Sequence, residues 1–483
     1  RGPDPEDHAS AAHAALADLD LPEAHLLQGD AHVAQAAVFR ERGRLDRRDP
    51  YEYRVAIEEY SRALEAEPRS IRARLRRADA LRARWSLDRR PDEDRLAAAS
   101  SAEADYRAAL EIDPGSTQAA IGLAWARSAL ARFEGRDEDR RVAAWRAEVE
   151  ELAGPPSVER FAARAQARVG LGRLLCDIRR PARDEFAAAV ADYEQALGLD
   201  PANPELLRRR GSAHLDLASA SKQEQVSPAP ILADALEDLD DAIAGDPGDS
   251  EALALRGRVR KERGIASDQV EEFLAAIADF AEASALRPDR GDHLYEKGLC
   301  ERDYALLLTR QGKDASRQWE GAMADLTRSA ELDPSWVDAY RIKAMVLQGL
   351  GLNEQAAIAC ETAIRVDAEY AAKNIGIHNA LTTSRLWAGY DVLEKGGDPT
   401  SWFEGAIRAA GDGLALIPDH AEIHCYRGLA YGGLAEFAAA RGADPSALDE
   451  AAYAELHGWA NSVNSRLASQ CEAILQGIER RRH

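Results

Sequence analysis

A signal that ends one helix and begins the next recurs along the whole chain, and it constrains the fold more than any other feature. An apolar helix end, often with an acidic residue, meets a proline, which cannot continue that helix but is tolerated in the turn before the next one. The ten anchor positions are Pro22, Pro68, Pro114, Pro156, Pro201, Pro247, Pro288, Pro334, Ala368 and Pro418. Successive anchors lie 46, 46, 42, 45, 46, 41, 46, 34 and 50 residues apart. This period predicts a repeat protein in which each unit is one pair of helices.

Side-chain size is also periodic. Ten residues after the anchor the side chain is small in seven units, namely Ala78, Ala124, Gly211, Gly257, Gly298, Ala344 and Gly428. At 12, 8 and 5 residues before the next anchor a small, a large and a small residue recur, as in Ala56, Tyr60 and Ala63. We therefore expect the small residues to let paired helices approach closely, while the large residue of the second helix fills the gap between neighbouring hairpins.

The segment Leu326–Ala368 shows the unit at its shortest, because its anchors Pro334 and Ala368 are 34 residues apart. Its large, small and turn positions are held by Tyr340, Ala344, Leu347, Ala356, Cys360, Ala363 and Ala368. This pattern closely resembles the tetratricopeptide repeat, and the resemblance covers nearly the whole chain. It implies an all-α fold: a right-handed α-solenoid, or superhelix, of antiparallel helical hairpins. About nine to ten repeats are expected, most of them extended to 41–50 residues.

The extra residues of the long units fall between the two helices of a hairpin. We expect them to lengthen the helices to about 16–20 residues, since each turn takes 3.6 residues. Two copies are irregular: Glu148 and Glu151 replace a large and a small residue before Pro156, and His378 takes a small position after Ala368. The predicted organisation is a half repeat with a second helix only (1–21), a repeat solenoid (22–460) and a C-terminal capping helix (461–483).

Composition makes several classes of partner poor candidates. The 483-residue chain carries a formal net charge of −22 and a sequence pI near 5.1, which argues against nucleic acid and anionic membrane surfaces. No apolar run is long enough for a membrane span. The five cysteines are far apart in sequence, form no CxxC pair and are expected to be reduced core thiols. A cytoplasmic location is expected.

Motifs for catalysis and cofactor binding are absent from the sequence. It contains no GxxxxGK[ST], GxSxG or HExxH pattern, and no GxGxxG after a strand. His420 and His424 are one helical turn apart, but further metal ligands are not evident nearby, so we interpret them as partly exposed histidines after a proline turn. We expect no enzymatic activity, no cofactor and no metal.

The resemblance implies that the first helices line a concave groove in which peptides bind. Positions about 4, 7, 11 and 14 residues past each anchor should face this groove. The candidate peptide-binding residues are Arg72, Asp79, Arg82, Trp125, Arg208, Arg258, Lys261, Tyr295, Arg302, Arg341, Asn374 and Asn379. Arginine forks and aromatic faces suit an acidic or C-terminal peptide. The alternative is that these arginines pair with Asp and Glu of adjacent helices and only solvate the groove.

The irregular unit after Ala368 is a second place to look for a site. Lys373, Asn374, His378 and Asn379 stand there where apolar or small residues are usual. Local departures from a repeat pattern can mark a functional site, although a distorted repeat would give the same sequence. The Lys-x3-Asn and Lys-x3-Arg pairs with which some members of the family grip a C-terminal carboxylate are not found at the groove positions.

Three functions are compatible with these observations. The leading hypothesis is a non-enzymatic scaffold that binds a peptide or protein segment in the concave groove. The second is a regulatory or sensor region of a larger signalling enzyme, such as a bacterial kinase or protease, because the array starts in mid-hairpin. The third is a self-assembling structural solenoid, and the oligomeric state is left open.

Overall fold

The structure is a computed structural model that describes residues 21–41, 48–87, 92–134 and 137–482. Within these ranges it contains 22 α-helices and no β-strand. The predicted all-α repeat fold is confirmed. Of the half repeat predicted at 1–21, all but Leu21 lies outside the described residues.

Helices in the first and second positions of the repeat alternate along the chain. The first helices are α1 (Pro22–Glu41), α3 (Ile71–Leu87), α5 (Thr117–Glu134), α7 (Val158–Asp177), α9 (Pro204–Gln223), α11 (Ser250–Ser267), α13 (Gly291–Arg310), α15 (Val337–Gly349), α18 (Ile375–Glu394) and α20 (Ala421–Ala440). The second helices are α2 (Arg48–Ala66), α4 (Asp92–Ile112), α6 (Glu138–Glu151), α8 (Arg183–Leu199), α10 (Ala229–Gly245), α12 (Val270–Leu286), α14 (Ser316–Leu332), α16 (Asn353–Val366), α19 (Thr400–Leu416) and α21 (Ser446–Trp459). Two helices stand outside this alternation: the one-turn helix α17 (Ala368–Lys373) and the last helix, α22 (Ser465–Arg482).

The chain divides into two compact parts, named unit 1 and unit 2, each of which contains several repeats. Unit 1 extends to Ala266 and unit 2 begins at Ser267. Within each unit a helix packs on its neighbours in sequence, as α1 does on α2 and α13 on α14. First helices also contact the next first helix, as α3 does α5 in unit 1 and α18 does α20 in unit 2.

The acidic residue before the anchor proline shapes the turn between units. The side chains of Asp113, Asp246 and Asp333 each accept a hydrogen bond of 3.0 Å from the backbone N–H two residues later. This Asx turn competes with helix continuation and reverses the chain within a few residues. The sequence signal of acid followed by proline is thus a turn with a physical cause.

The periodic size pattern is confirmed at the helix contacts. A Cβ atom built on Gly298 would lie 2.8 Å from Cγ of Leu326, eight residues before the next anchor, so only glycine gives this separation. Tyr60, Tyr106 and Phe280, at the same position in other units, have no exposed surface. The large residue of the second helix therefore packs against the first helix of its own hairpin as well as against the next one.

Helix lengths follow the predicted extension. In the long units most helices have 17–21 residues, and α15 and α16 of the shortest unit have 13 and 14. Helices α6 and α21 are exceptions with 14 residues each. Residues inserted between the helices therefore mostly add turns to them, which enlarges the surface that each hairpin buries.

The unit after Ala368 differs from the prediction. The first helix usually begins three residues past the anchor, as Ile71 follows Pro68, so Ala368 predicts a start at 371. The observed start is Ile375, because α17 adds one helical turn, and the shift is four residues (375 − 371). The assignment of His378 to the small position is therefore wrong. Thr382, seven residues into the helix like Ala78 and Gly298, holds that position and is fully buried.

Candidate functional site

The candidate residues at the start of unit 1 lie between consecutive first helices. Arg72 of α3 forms ion pairs with Glu23 at 2.9 Å and Asp30 at 3.5 Å, both on α1. The Arg72 side chain is half exposed. Tyr60 donates a hydrogen bond of 2.8 Å to the same Asp30. Arg72 thus stands on the predicted face, but it already has two acidic partners.

Three further candidates are brought together by α3 and α5. Asp79 accepts hydrogen bonds of 2.6 Å from both the Tyr106 hydroxyl and the Gln118 amide. The Arg82 guanidinium lies 5.3 Å from the centre of the Trp125 ring, a cation–π distance. Trp125 is only 9% exposed, so its ring contributes more to packing than to an open surface.

The remaining candidates of unit 1 are less accessible. Nε of Arg208 lies 3.1 Å from Asp249, and the guanidinium also pairs with Glu205 on its own helix. Asp249 in turn accepts hydrogen bonds from the first backbone N–H groups of α11. Arg258 is half-buried, and Lys261 is only 6% exposed. A peptide could reach Lys261 only after α11 or its neighbours moved.

In unit 2 the candidates form a more continuous surface. The centres of the Tyr295 and Trp336 rings lie 4.5 Å apart. Beside them, Arg302 of α13 and Arg341 of α15 each place a guanidinium nitrogen 3.9 Å from the Met345 sulfur. Each arginine also has an aspartate on its own helix, Asp303 at 2.6 Å for Arg302 and Asp338 at 2.7 Å for Arg341.

The two asparagines of the irregular unit have different surroundings. Asn374 caps α18, because its side chain accepts a hydrogen bond of 3.0 Å from the backbone N–H of Gly376. Asn379 lies on the face of α18 between Gly376, which adjoins Arg341, and Thr383, which accepts a 2.7 Å hydrogen bond from Gln348. Helical spacing therefore puts Asn379 on the side of α18 that is turned toward α15. The side-chain oxygen Oδ1 of Asn379 is buried and has no hydrogen-bond partner, whereas its backbone carbonyl accepts a hydrogen bond of 2.9 Å from the Thr383 hydroxyl.

We call this surface the unit 2 face and define it by the five residues Tyr295, Arg302, Arg341, Met345 and Asn379. Three consecutive first helices, α13, α15 and α18, supply them. Burial raises the pKa of Tyr295 to about 12, so its hydroxyl stays neutral at physiological pH. The face offers two guanidinium groups and the Tyr295 ring, which lies against Trp336, a combination suited to an extended polypeptide.

Sequence reasoning missed a buried ion pair that recurs within the hairpins. Nine residues before the anchor the second helix carries a buried acid: Asp105 lies 2.7 Å from Arg77, and Asp238 lies 3.0 Å from Arg210. Lys297 and Asp325 repeat the pair at 2.9 Å. Hydrogen bonding to Asp238 raises the pKa of Arg210.

A signal for this pair was present in the sequence. An acid stands directly before the large residue of the second helix, as in Asp105–Tyr106, Asp192–Tyr193 and Asp238–Leu239. The partner is a basic residue nine positions after the preceding anchor, such as Arg77 after Pro68 and Arg210 after Pro201. These positions face the partner helix, so the pair contributes to the hairpin and not to the unit 2 face.

Histidines and acids do not form an evident reactive centre in the described part of the chain. His424 contacts the Glu455 carboxylate at 2.6 Å and the Pro418 carbonyl at 2.7 Å, while His420 caps α20. Among the described residues no group of three or more His, Cys, Asp or Glu is arranged to hold a metal ion. None of the described helices combines the length and the hydropathy needed to cross a membrane.

Comparisons with known proteins give only distant likenesses. No protein-family model and no curated protein matches the chain. A crystal structure of MamA is 22% identical, with a TM-score of 0.29, over 39% of this chain and 92% of MamA. Yeast Tom70 is 12% identical, with a TM-score of 0.40, over 99% of this chain and 93% of its own. TTC0263, a thermophilic TPR protein of Thermus thermophilus, is 16% identical, with a TM-score of 0.32, over 46% of this chain and 98% of its own.

The nature of the repeat follows from the chain's own geometry. Helical hairpins recur at the spacing of the anchors, with small residues at the close contacts and a large residue eight positions before the turn. Ten first helices and ten second helices are described, in agreement with the expected nine to ten repeats. The described part of the chain is an array of extended helical-hairpin repeats, the architecture that the resemblance to the tetratricopeptide repeat predicts.

Proposed function

We propose that the protein is a non-enzymatic interaction scaffold that binds an extended peptide or protein segment on the unit 2 face. The observation that carries this proposal is the convergence of Arg302 and Arg341, from two successive first helices, on Met345. The aromatic pair of Tyr295 and Trp336 adjoins it. Five free cysteines agree with a reducing compartment, and a cytoplasmic location is part of the proposal.

The chemistry of the face indicates which features of a segment it would recognise. Guanidinium groups bind carboxylates through paired N–H donors, and aromatic rings bind apolar side chains. The partner segment would therefore combine acidic with apolar side chains.

The existing ion pairs limit how tightly an acidic segment would bind. Arg302 and Arg341 each have an aspartate partner, so a ligand carboxylate must compete with Asp303 and Asp338. Binding should then weaken as salt is added, because partly exposed charges are screened over about 8 Å at physiological ionic strength. If the arginines only solvate the surface, no segment will compete with these aspartates.

A peptide library displayed on phage, selected on the full chain, tests the proposal. Enriched sequences are synthesised and their affinities measured by fluorescence anisotropy for the wild type and for the double variant Arg302→Glu, Arg341→Glu. The matched control is Arg328→Glu, Arg408→Glu, which reverses two arginines of second helices in the same unit that are 59% and 69% exposed. Far-UV circular dichroism checks the folding of both variants.

We expect the double variant on the unit 2 face to bind the selected peptides at least tenfold more weakly, and the control to stay within about twofold. Equal binding by all three proteins would place the peptide elsewhere. Failure of the wild type to enrich any acidic and apolar sequence would contradict the proposed function itself.

A further inference from the structure

Two guanidinium groups of the unit 2 face converge on the sulfur atom of Met345. The nitrogen Nη1 of Arg302, on α13, and Nη1 of Arg341, one turn before Met345 on α15, each point at Sδ from a distance of 3.9 Å. The Met345 residue is partly exposed. The sequence has one other methionine, Met323 on α14, which packs against an apolar cluster that includes Leu347.

Two aspartates hold the guanidinium groups in this orientation. Nε and Nη2 of Arg302 donate hydrogen bonds of 3.0 and 2.6 Å to Asp303. Nε of Arg341 donates a hydrogen bond of 2.7 Å to Asp338. The side chains of Arg302 and Arg341 are only 15% and 23% exposed, so the two nitrogens that are directed at Met345 lie in a partly dehydrated place.

A thioether sulfur is a poor partner for two such donors, because it is only a weak hydrogen-bond acceptor. Oxidation to a sulfoxide places a polar oxygen on the same sulfur. Hydrogen bonds from a charged donor are roughly twice as strong as those between neutral groups. An oxygen bonded to Sδ of Met345 would fill part of the 3.9 Å gap to each nitrogen, so both guanidinium groups could donate to it while they keep their aspartates.

We propose that Met345 is a modification site: a peroxide oxidises it to a sulfoxide, which Arg302 and Arg341 bind in place of a ligand carboxylate. This inference rests on the proposed function, since it makes peptide binding by the unit 2 face sensitive to oxidation. In the reaction a lone pair of the sulfur attacks one oxygen of hydrogen peroxide, so that an S–O bond forms and the O–O bond breaks. The departing hydroxide takes the proton of the attacked oxygen and leaves as water. The sulfur is thereby oxidised and the peroxide is reduced.

The two arginines also favour reaction at this sulfur. Negative charge develops on the departing oxygen as the O–O bond breaks, and fixed cationic donors stabilise such charge. Met345 has two guanidinium nitrogens beside its sulfur, whereas Met323 packs against apolar side chains. We therefore expect peroxide to oxidise Met345 faster than Met323. The sulfoxide oxygen then occupies the donors that an acidic segment needs, so oxidation should release such a segment.

The experiment uses the full chain as the wild type and as two matched variants, Met323→Leu and Met345→Leu, each of which keeps one methionine. The proteins are treated with a small excess of hydrogen peroxide and then with dithiothreitol, which restores reversibly oxidised cysteines and leaves a sulfoxide in place. Peptide mapping by mass spectrometry of the wild type shows which methionine takes up oxygen first. Fluorescence anisotropy with a selected acidic peptide measures the affinity of both variants before and after oxidation.

A second readout needs no bound peptide. The melting temperature before and after oxidation is measured for Met323→Leu and for the triple variant that adds Arg302→Gln and Arg341→Gln. Oxidation should lower the melting temperature of the triple variant by about 2–4 °C more than that of Met323→Leu, because only Met323→Leu keeps charged donors for the sulfoxide oxygen.

We expect oxidation to weaken peptide binding by Met323→Leu about tenfold or more, and to leave the affinity of Met345→Leu within about twofold of its own value before treatment. The proposal is overturned if Met323 is oxidised while Met345 is not, or if the two melting shifts are equal. It is equally overturned if oxidised Met323→Leu binds the peptide as before. Failure to select any acidic peptide contradicts the proposed function alone, and the melting shifts then still decide whether the arginines hold the sulfoxide.

Discussion

The carboxylate of Asp238 is 4% exposed, and its two oxygens lie 3.0 and 3.1 Å from Nε of Arg210. A buried charge of this kind contributes little net stability while it is paired, because desolvation offsets the attraction. Removal of one partner is costly, because the other charge is left without compensation in a poorly solvated place. The recurrent pair therefore acts mainly as a constraint on which residues of the two helices face each other.

Substitution of Asp238 tests this constraint. We expect Asp238→Ala to lower the free energy of unfolding by about 3 kcal/mol, because it leaves the Arg210 guanidinium next to the second helix without the carboxylate that pairs with it. The control is Asp240→Ala on the same helix, whose 50% exposed carboxylate pairs with Arg256 at 2.8 Å and should contribute less than about 1 kcal/mol. Urea unfolding followed by circular dichroism measures both, and equal losses would contradict a special role for the buried pair.

A pH-dependent stability is expected from Glu301. Burial beside the Asp325 carboxylate raises the pKa of Glu301 to about 8, despite Lys297 at 3.9 Å. The folded state therefore holds a proton that the unfolded state releases above about pH 4.5, so stability falls as the pH rises from there to 8 and then levels off.

The variant Glu301→Gln should remove this dependence, because it replaces the carboxyl group by a neutral one. At pH 8.5 we expect it to raise the free energy of unfolding by about 1–3 kcal/mol, and at pH 5 to change it little. Urea unfolding of the variant and the wild type at the two pH values measures these differences in the free energy of unfolding. Glu331→Gln, at a 58% exposed position on α14, serves as the control, and a wild-type pH slope in Glu301→Gln would refute the assignment.

At the scale of the helical element, glycines in similar helices have opposite roles. A Cβ atom on Gly298 of α13 would meet Leu326 at 2.8 Å and the Ala322 carbonyl at 3.2 Å. A Cβ atom on Gly411 of α19 would meet nothing within 4 Å. The first glycine is required by the contact between two helices, whereas the second only adds conformational freedom to the unfolded chain.

Alanine substitutions should therefore change stability in opposite directions. Gly298→Ala should lower the melting temperature, at a cost of about 1 kcal/mol, because overpacking outweighs the gain in helix propensity. Gly411→Ala should raise it, by about 0.5–1 kcal/mol. Differential scanning calorimetry of the two variants gives both signs, and a stabilising Gly298→Ala would show that the contact with Leu326 relaxes easily.

The helical hairpins could be predicted from the sequence where residues close together in the chain determine where each helix begins and ends. Proline anchors, small residues at fixed offsets and a large residue eight positions before the turn predict the hairpins, since each is a steric requirement of two packed helices. The added turn at Ala368–Lys373 could not be predicted in this way. Its residues are ordinary helix formers, and only the cap at Asn374 determines that the next helix begins at Ile375.

At the scale of the whole molecule, the acidic composition coexists with arginines on the first helices. The net charge of −22 does not reveal which acids pair with which arginines. Those pairs form between residues that are distant in sequence. Arg72 is paired with Glu23 and Asp30, and Arg208 with Asp249, across helices 41 or more positions apart. The sequence placed these arginines near the first-helix surfaces, but it could not reveal their partners.

The buried acid of the second helix bears on how the array can change its length. Three units carry alanine at that position, Ala147, Ala359 and Ala409, and two of them are the most divergent units, with 34 and 50 residues. In these hairpins no buried acid has to keep a basic partner when the contact between the two helices shifts along their axes. The added turn of α17 lies between these two units. A large change in the length of a repeat, such as the 34- and 50-residue spacings, should therefore be tolerated best where this buried acid is absent.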